Sequence, residues 1–342
     1  ATAHSHERTC ATMHSLVTET DLFHPTELSH PGRMTFLAAA GQPHVEHVQV
    51  GFLGLGNMGG PMAANLVQAG YRVAGYDVLP AALERAARDG LTVVASPDEA
   101  AVADVVITML PTGKHVIDLY KGGLLAAAKP GTLFVDCSTI DVADAKTVAK
   151  LATDAGHRAI DAPVSGGVAG AAAGTLTFMV GGAADDVAAA LPLLDVMGTK
   201  VVHCGGSGVG QAAKICNNMV LGITMIGVSE AFVLGEKLGL TNQAFFDVAS
   251  TASGQCWSLT SYCPVPGPVA TSPANNDYQP GFTTALMDKD LRLAANALEA
   301  NGVDGQLGLL ARQIYGRFTA ESGGGLDFSA VVTDIRKRSD DA

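Results

Sequence analysis

The chain has 342 residues, 48% of them hydrophobic and 16% charged, and a formal net charge of −12. That length exceeds what one hydrophobic core usually serves, so two domains are expected. The acidic balance, with a pI near 5.2, argues against a nucleic-acid partner, which calls for a basic patch. No uninterrupted apolar run reaches the roughly 18 to 20 residues that span a bilayer, so no membrane partner is expected. Six cysteines (Cys10, Cys137, Cys204, Cys216, Cys256, Cys263) include no CxxC pair, a pattern of neither a zinc site nor a disulfide framework. These features predict a soluble protein of a reducing compartment, without a metal, whose anionic small substrate would be met by local donors.

Residues 1–46 lack periodicity and hold six of the ten histidines, among them His4, His6 and His14. Their irregular spacing, with no cysteine or carboxylate cluster, reads as a poorly ordered extension rather than a metal-binding tail. Arg8 and Arg33 are its only basic residues against Glu7, Glu19, Asp21, Glu27 and Glu46, a poor transit sequence. A bacterial cytoplasm is therefore expected, with the mitochondrial matrix as the alternative for a eukaryotic source. Met34 is a candidate start for a shorter product.

From Val48 the texture changes. Short β-rich runs at residues 48–53, 72–76, 91–94, 105–109, 132–135, 158–161, 176–180 and 200–203 alternate with helical segments, the mark of a parallel sheet with crossover helices. Beyond Gly206 only helical patterns follow, at 209–237, around 243, and at 284–299, 304–318 and 328–336. The expected division is an extension over 1–46, an α/β domain over 47–205 and an all-helical domain over 206–342. Its junction is a usual position for a substrate cleft.

Gly54, Gly56 and Gly59 stand in GLGNMGG, directly after the first apolar run and directly before a helical segment. In a βαβ unit these glycines serve the tight turn, the close approach of a pyrophosphate and helix–strand packing, and the helix N-terminus supplies donors. Leu55, Asn57 and Met58 complete the loop, and the fold class becomes α/β with a Rossmann-type doubly wound sheet. Asp77 ends the second run, 18 residues past Gly59. It can accept from the adenosine ribose hydroxyls and repel a 2′-phosphate, and no arginine follows in Val78, Leu79 or Pro80. NAD is thus favoured over NADP. Pro111 ends the strand at 105–109 and turns its loop toward the cofactor.

Two further segments carry chemistry. DAPVSGG (161–167) runs from a strand end into a glycine-rich turn with a hydroxyl at Ser165, where unpaired backbone N–H groups suit a carboxylate. GSGVGQAAKICNNMVLG (206–222) places Lys214 and Asn218 four residues apart, on one helix face. An ammonium beside a carboxamide is a candidate proton-transfer site, the alternative being a lysine on an ordinary helix face with its stem packed and its head in water. A free lysine, with a pKa of about 10.4, is a poor base at neutral pH, and burial beside a positively charged nicotinamide would lower it.

In chain order GLGNMGG, DCSTI (136–140), DAPVSGG and the Lys214/Asn218 segment resemble the β-hydroxyacid dehydrogenase family, over residues 48–338. Within it, CWSLTSYCPVPGPV (256–269), NDYQPGF (276–282) and MDKDLRLA (287–294) are most similar to members that act on 3-hydroxyisobutyrate. The resemblance implies NAD-dependent oxidation of that acid to methylmalonate semialdehyde in valine breakdown. It makes Lys214 the general acid/base and has Asn218 orient the reacting oxygen. Ser165, Gly166 and Gly167 would hold the substrate carboxylate, while Leu110, Pro111 and Thr139 contact NAD. Lys289 would close the site from the helical side. His115 departs from the family pattern, which carries asparagine there; an imidazole still donates to a ribose or phosphate oxygen, so altered cofactor affinity is expected. Trp257 and Phe282 are candidates for the wall that meets the substrate methyl group. The resemblance also implies a homodimer or homotetramer. Competing readings are an enzyme for tartronate semialdehyde, hydroxymethylglutarate or another short β-hydroxy acid, and a non-catalytic dinucleotide-binding module. Against a second carboxylate, residues 256–282 contain no basic residue.

Overall fold

The computed structural model describes residues 48–322 and 324–341. The extension read at residues 1–46 lies outside the described residues. The first half alternates as expected. It runs through β1 (Gln49–Leu53), α1 (Gly59–Gln68), β2 (Arg72–Tyr76), α2 (Pro80–Arg88), β3 (Thr92–Val93) and α3 (Pro97–Ala101). It continues with β4 (Val105–Thr108), α4 (Gly113–Leu119), α5 (Leu125–Ala127), β5 (Leu133–Asp136), α6 (Val142–Asp154) and β6 (Arg158–Asp161). A π-turn at Tyr120–Leu124 leads into α5. Next come β7 (Val164–Ser165), α7 (Gly167–Ala173), β8 (Leu176–Gly181), α8 (Ala184–Met197) and β9 (Gly198–Gly205). The remaining elements are helical: α9 (Val209–Lys237), α10 (Asn242–Ala249), α11 (Trp257–Thr260), α12 (Thr284–Ala300), α13 (Gln306–Ser322) and α14 (Val331–Asp340).

The sheet is ordered β3-β2-β1-β4-β5-β6-β8-β7, with β9 on β8. Strand order reverses between β1 and β4, which is where doubly wound sheets bind ligands beyond the carboxyl ends of their strands. Central strands alternate faces with period two. Val105 and Ile107 of β4 and Leu133 and Val135 of β5 enter one hydrophobic core. Val106 and Phe134, between them, enter the core on the opposite face. Burying each such side chain contributes about 1.5 to 3 kcal/mol. Helix starts follow local chemistry. Ser96 accepts from Glu99 N ahead of α3, with Pro97 in its first turn, and Thr283 accepts from Leu286 N ahead of α12. Each such cap contributes about 1 kcal/mol.

Two sequence expectations need correction. The sheet is parallel-dominated but mixed: β6 and β7 both pair antiparallel with β8. β7, only two residues long, was not anticipated. It lies between Pro163 and Gly166 and shows no run long enough to register as a period. The segment read as one helix at 328–336 is a 3-10 turn at Phe328–Ala330 followed by α14.

By length and composition α9 is apolar enough to cross a membrane, with a mean hydropathy of 1.5 over its best window. Here it is the axis of the helical half. Met225 and Ile226 pack with Met287, Leu291, Tyr315 and Val331, and Phe232 and Val233 pack with Leu259, Val265 and Val332.

Candidate active site

At the carboxyl end of β1 the chain turns at Gly54 (φ +93°). A Cβ on Gly59 would stand 1.9 Å from the carbonyl oxygen of Gly54, so only glycine lets α1 begin this close to the strand. Around Gly56, in contrast, no atom lies within 4 Å of a Cβ position. That open side of the loop fits a pyrophosphate approaching the backbone. Asn57 is exposed and Met58 half-buried just before α1. Leu55 shapes the loop from within. Its side chain is buried and its amide donates to Asp77 Oδ2 at 2.7 Å. Asp77 Oδ1 accepts from Leu79 N at 2.8 Å. The carboxylate is thereby held at the end of β2 beside the glycine loop.

The loops after β4 and β5 are joined by a buried polar cluster. Asp136 Oδ1 accepts from Thr108 Oγ1 at 2.7 Å and from Ser138 Oγ at 2.6 Å. Ser138 Oγ in turn accepts from Leu110 N at 2.8 Å. Burial pushes the Asp136 carboxyl up to about 6, against the downward pull of its hydrogen bonds from Ser138 and Thr108. Leu110, Pro111 and Thr139 thus share one rim. His115 is exposed on α4, and its Nδ1 lies 2.7 Å from Thr112 Oγ1, so one ring nitrogen is engaged with that helix's own cap.

Beyond β6, β7 delivers Ser165 half-buried, and the turn passes through Gly166 (φ +132°) and Gly167 (φ +62°) into α7. These left-handed conformations disfavour any side chain. Asp161, at the end of β6, receives the start of the long helix. Its Oδ1 accepts from Gly208 N at 2.7 Å and its Oδ2 from Gln211 N at 2.9 Å. Burial raises its pKa, and these amides oppose the rise.

One turn further along α9 comes the expected pair. Lys214 is 7% exposed and Asn218 2%. Burial lowers the pKa of Lys214; Asp290 pulls it back up and Lys289 adds to the fall. The Asn218 amide donates to Asp290 Oδ2 at 2.5 Å, and its carbonyl accepts from Asn217 Nδ2 at 3.0 Å. From the same helical side, Lys289 Nζ donates to Thr139 O at 2.9 Å and lies 3.6 Å from Asp290 Oδ1. The helical half therefore reaches the rim of the α/β half, and a buried amine stands beside a carboxamide near the loops a dinucleotide would occupy. That arrangement suits proton transfer coupled to hydride transfer.

Comparison with known proteins agrees with this geometry. Residues 49–206 match the family model described as the NAD binding domain of 6-phosphogluconate dehydrogenase. Residues 208–335 match the model described as NAD-binding of NADP-dependent 3-hydroxyisobutyrate dehydrogenase. The human mitochondrial 3-hydroxyisobutyrate dehydrogenase is 47% identical over 310 residues, which is 90% of this chain and 92% of the relative. The chain belongs to the 3-hydroxyisobutyrate dehydrogenase family. A solved structure of the Mycobacterium tuberculosis 3-hydroxyisobutyrate dehydrogenase with L-serine superposes with a TM-score of 0.82 at 56% identity, covering 84% of this chain and 99% of that one. The Salmonella typhimurium 3-hydroxyisobutyrate dehydrogenase gives 0.72 at 28% identity, with 84% and 99% covered. As a member of the 3-hydroxyisobutyrate dehydrogenase family, the chain is an oxidoreductase with an NAD(P)-type dinucleotide cofactor.

Within this family frame, reading the sequence alone missed the polar residues that hold the site. Asp290 lies inside MDKDLRLA but reads there as one more charge beside Lys289. Gln211 and Asp161 likewise stand inside quoted motifs. Their roles depend on partners 47 to 73 residues away, which no local period reports.

Proposed function

We propose that this chain oxidises 3-hydroxyisobutyrate to methylmalonate semialdehyde with NAD, in valine catabolism. Residues 47–205 form the cofactor half and 206–342 the substrate half. The observation that carries this reading is the buried amine of Lys214, lowered in pKa by desolvation and one helical turn from Asn218.

When bound, the nicotinamide supplies the hydride acceptor. Lys214, as the neutral amine, takes the proton of the substrate hydroxyl while the carbinol hydrogen leaves as hydride. In the reverse direction its ammonium returns that proton. Asn218, whose amide nitrogen gives one N–H to Asp290, directs its second N–H at the reacting oxygen without adding charge. Ser165 with the N–H groups of Gly166 and Gly167 holds the carboxylate, and Lys289 closes the site over Thr139. Gly54, Leu55, Gly56, Asn57, Met58 and Gly59 carry the pyrophosphate, with Leu110, Pro111 and His115 alongside. Phe282, half-buried before α12, meets the methyl group, and Trp257, 51% exposed, stacks on Tyr262 behind it at 4.9 Å.

NAD rather than NADP follows from Asp77, whose charge at the end of β2 repels a 2′-phosphate, although the model matching the C-terminal half is described for an NADP-dependent enzyme. L-Serine, found in the mycobacterial relative's structure, is also a β-hydroxy acid and belongs in the substrate panel. Exposed apolar side chains on the helical half, among them Leu234, Leu238 and Leu307, support a homodimer or homotetramer. A bacterial cytoplasm, or a mitochondrial matrix if the source is eukaryotic, is the compartment proposed.

The test is NADH formation with 3-hydroxyisobutyrate beside serine, glycerate, tartronate semialdehyde (as NADH consumption) and 2-(hydroxymethyl)glutarate, each repeated with the NADP couple. The highest kcat/KM for hydroxyisobutyrate with NAD is expected. Preference for another acid moves the substrate, and no turnover with any of them overturns the enzymatic reading.

A further inference from the structure

Gln211 is wholly shielded from solvent, and its hydrogen bonds go to two strand-end loops. Its main-chain N–H donates to Asp161 Oδ2 beyond β6. Its side chain turns to the loop beyond β5, where Nε2 donates to Ser138 O at 2.6 Å and Oε1 accepts from Ile140 N at 3.1 Å. The carboxamide orientation is unambiguous, because a backbone carbonyl only accepts and a backbone N–H only donates. Ser138 O and Ile140 N flank Thr139, so the side chain reads the backbone on both sides of that one residue. The carbonyl of Thr139 itself accepts from Lys289 at 2.9 Å, and Ser138 Oγ is held by Asp136. The three-residue loop is therefore gripped from α9, from α12 and from the end of β5 at once.

Gln211 and Lys214 stand three residues apart on α9 and share a face. Capping the helix does not require the Gln211 side chain, since Asp161 does that through main-chain N–H groups. What the carboxamide adds is a fixed spacing between the turn bearing Lys214 and the loop bearing Thr139. We propose that Gln211 is a positioning residue for the reaction: it sets the distance between the proton acceptor on α9 and the cofactor-side loop, so that proton and hydride leave one substrate alcohol in a single aligned geometry. This inference rests on the reading of Lys214 as the base.

Two substitutions separate positioning from packing. Gln211→Leu keeps bulk and removes both hydrogen bonds. Gln211→Glu keeps shape; as a carboxylate it accepts from Ile140 N but cannot donate to Ser138 O, and as the protonated acid it does both. With 3-hydroxyisobutyrate and NAD, Gln211→Leu is expected to lower kcat about 10- to 100-fold, the scale of a misplaced reacting group, with a much smaller change in the KM for NAD. The primary isotope effect on kcat, measured with substrate deuterated at the hydroxyl-bearing carbon, should rise as hydride transfer becomes limiting. For Gln211→Glu, the ratio of its kcat to that of the native enzyme at the same pH should climb as pH falls, whereas the ratio for Gln211→Leu stays flat. Should Gln211→Leu fail to fold, the pH ratio of the isosteric Glu variant remains the test. Native-like kcat with only a lowered Tm, or a flat ratio for the Glu variant, overturns the proposal. Lys214→Ala is measured alongside: turnover that survives it sinks the base reading, while loss there together with native-like Gln211 variants sinks only the positioning role.

Discussion

Asn218 on α9 donates its amide to Asp290 on α12 across 2.5 Å, and the same carboxylate pulls the pKa of Lys214 upward against the effect of burial. One buried anion thus orients the carboxamide and tunes the amine. Asp290→Asn keeps an acceptor for Asn218 while removing the charge. Lys214 should then lose its proton at lower pH, and the ascending limb of the kcat–pH profile for oxidation should move to lower pH. Asp290→Ala also removes the acceptor and should lower kcat/KM about 10-fold or more, since a hydrogen bond to a charged group contributes about 1.5 to 3 kcal/mol. Profiles of the two variants that overlay the native one would sink this role for Asp290.

As the proposed general acid/base, Lys214 must be neutral to accept a proton and charged to return one. Because burial lowers its pKa, oxidation should rise with pH through a midpoint below that of a free lysine, and reduction of the aldehyde should fall over the same range. Lys214→Ala should cost about 10²- to 10⁴-fold in kcat, the usual contribution of a general base, and leave the NAD dissociation constant nearly unchanged in a fluorescence titration. Equal loss of turnover and NAD binding would contradict a role on the substrate oxygen.

Asp77 holds the loop at Leu55 N and, in the proposed reading, carries the charge that disfavours NADP. Asp77→Asn keeps an acceptor for that amide and removes the charge, so the ratio of kcat/KM for NAD over NADP should shrink by about tenfold, which corresponds to roughly 1.4 kcal/mol. An unchanged ratio places discrimination elsewhere.

The second and third glycines of the fingerprint should fail differently. In Gly59→Ala the new Cβ meets the Gly54 carbonyl at 1.9 Å, backbone against backbone, and thermal unfolding should show a loss of about 1 to 3 kcal/mol, typical of overpacking. Gly56→Ala meets nothing within 4 Å. It should keep the native Tm and weaken only dinucleotide binding. Similar Tm values for both variants would contradict the close approach of α1 to β1.

Asp136 supplies a pH signature in stability. Its folded-state pKa of about 6 lies above the ordinary carboxylate value of 3.8, so between these values the folded protein binds more protons than the unfolded chain. Its contribution is fully present below about pH 4 and is lost as pH rises through 6, an effect on the order of 3 kcal/mol. Asp136→Asn should flatten that component in denaturation curves between pH 4.5 and 7. A native-like slope in the variant would assign the pH dependence to other groups.

By itself the sequence determined what is encoded within a few residues of chain. Alternating apolar runs such as 105–109, the glycine spacing from Gly54 to Gly59, and the four-residue step from Lys214 to Asn218 each have a period that backbone geometry converts directly into a strand, a loop or a helix face. Even the long α9 was legible to the residue, because its pattern repeats over eight turns. Tertiary structure decided the rest. The two-residue β7, the Asp136–Ser138 cluster, the capping of α9 by Asp161, the grip of Gln211 on Ser138 and Ile140, and the hold of Asp290 on Asn218 are all choices of partner. A buried polar group must be paired, but its partner is whichever strand end or helix the chain brings back to it, and a local pattern carries no record of that return.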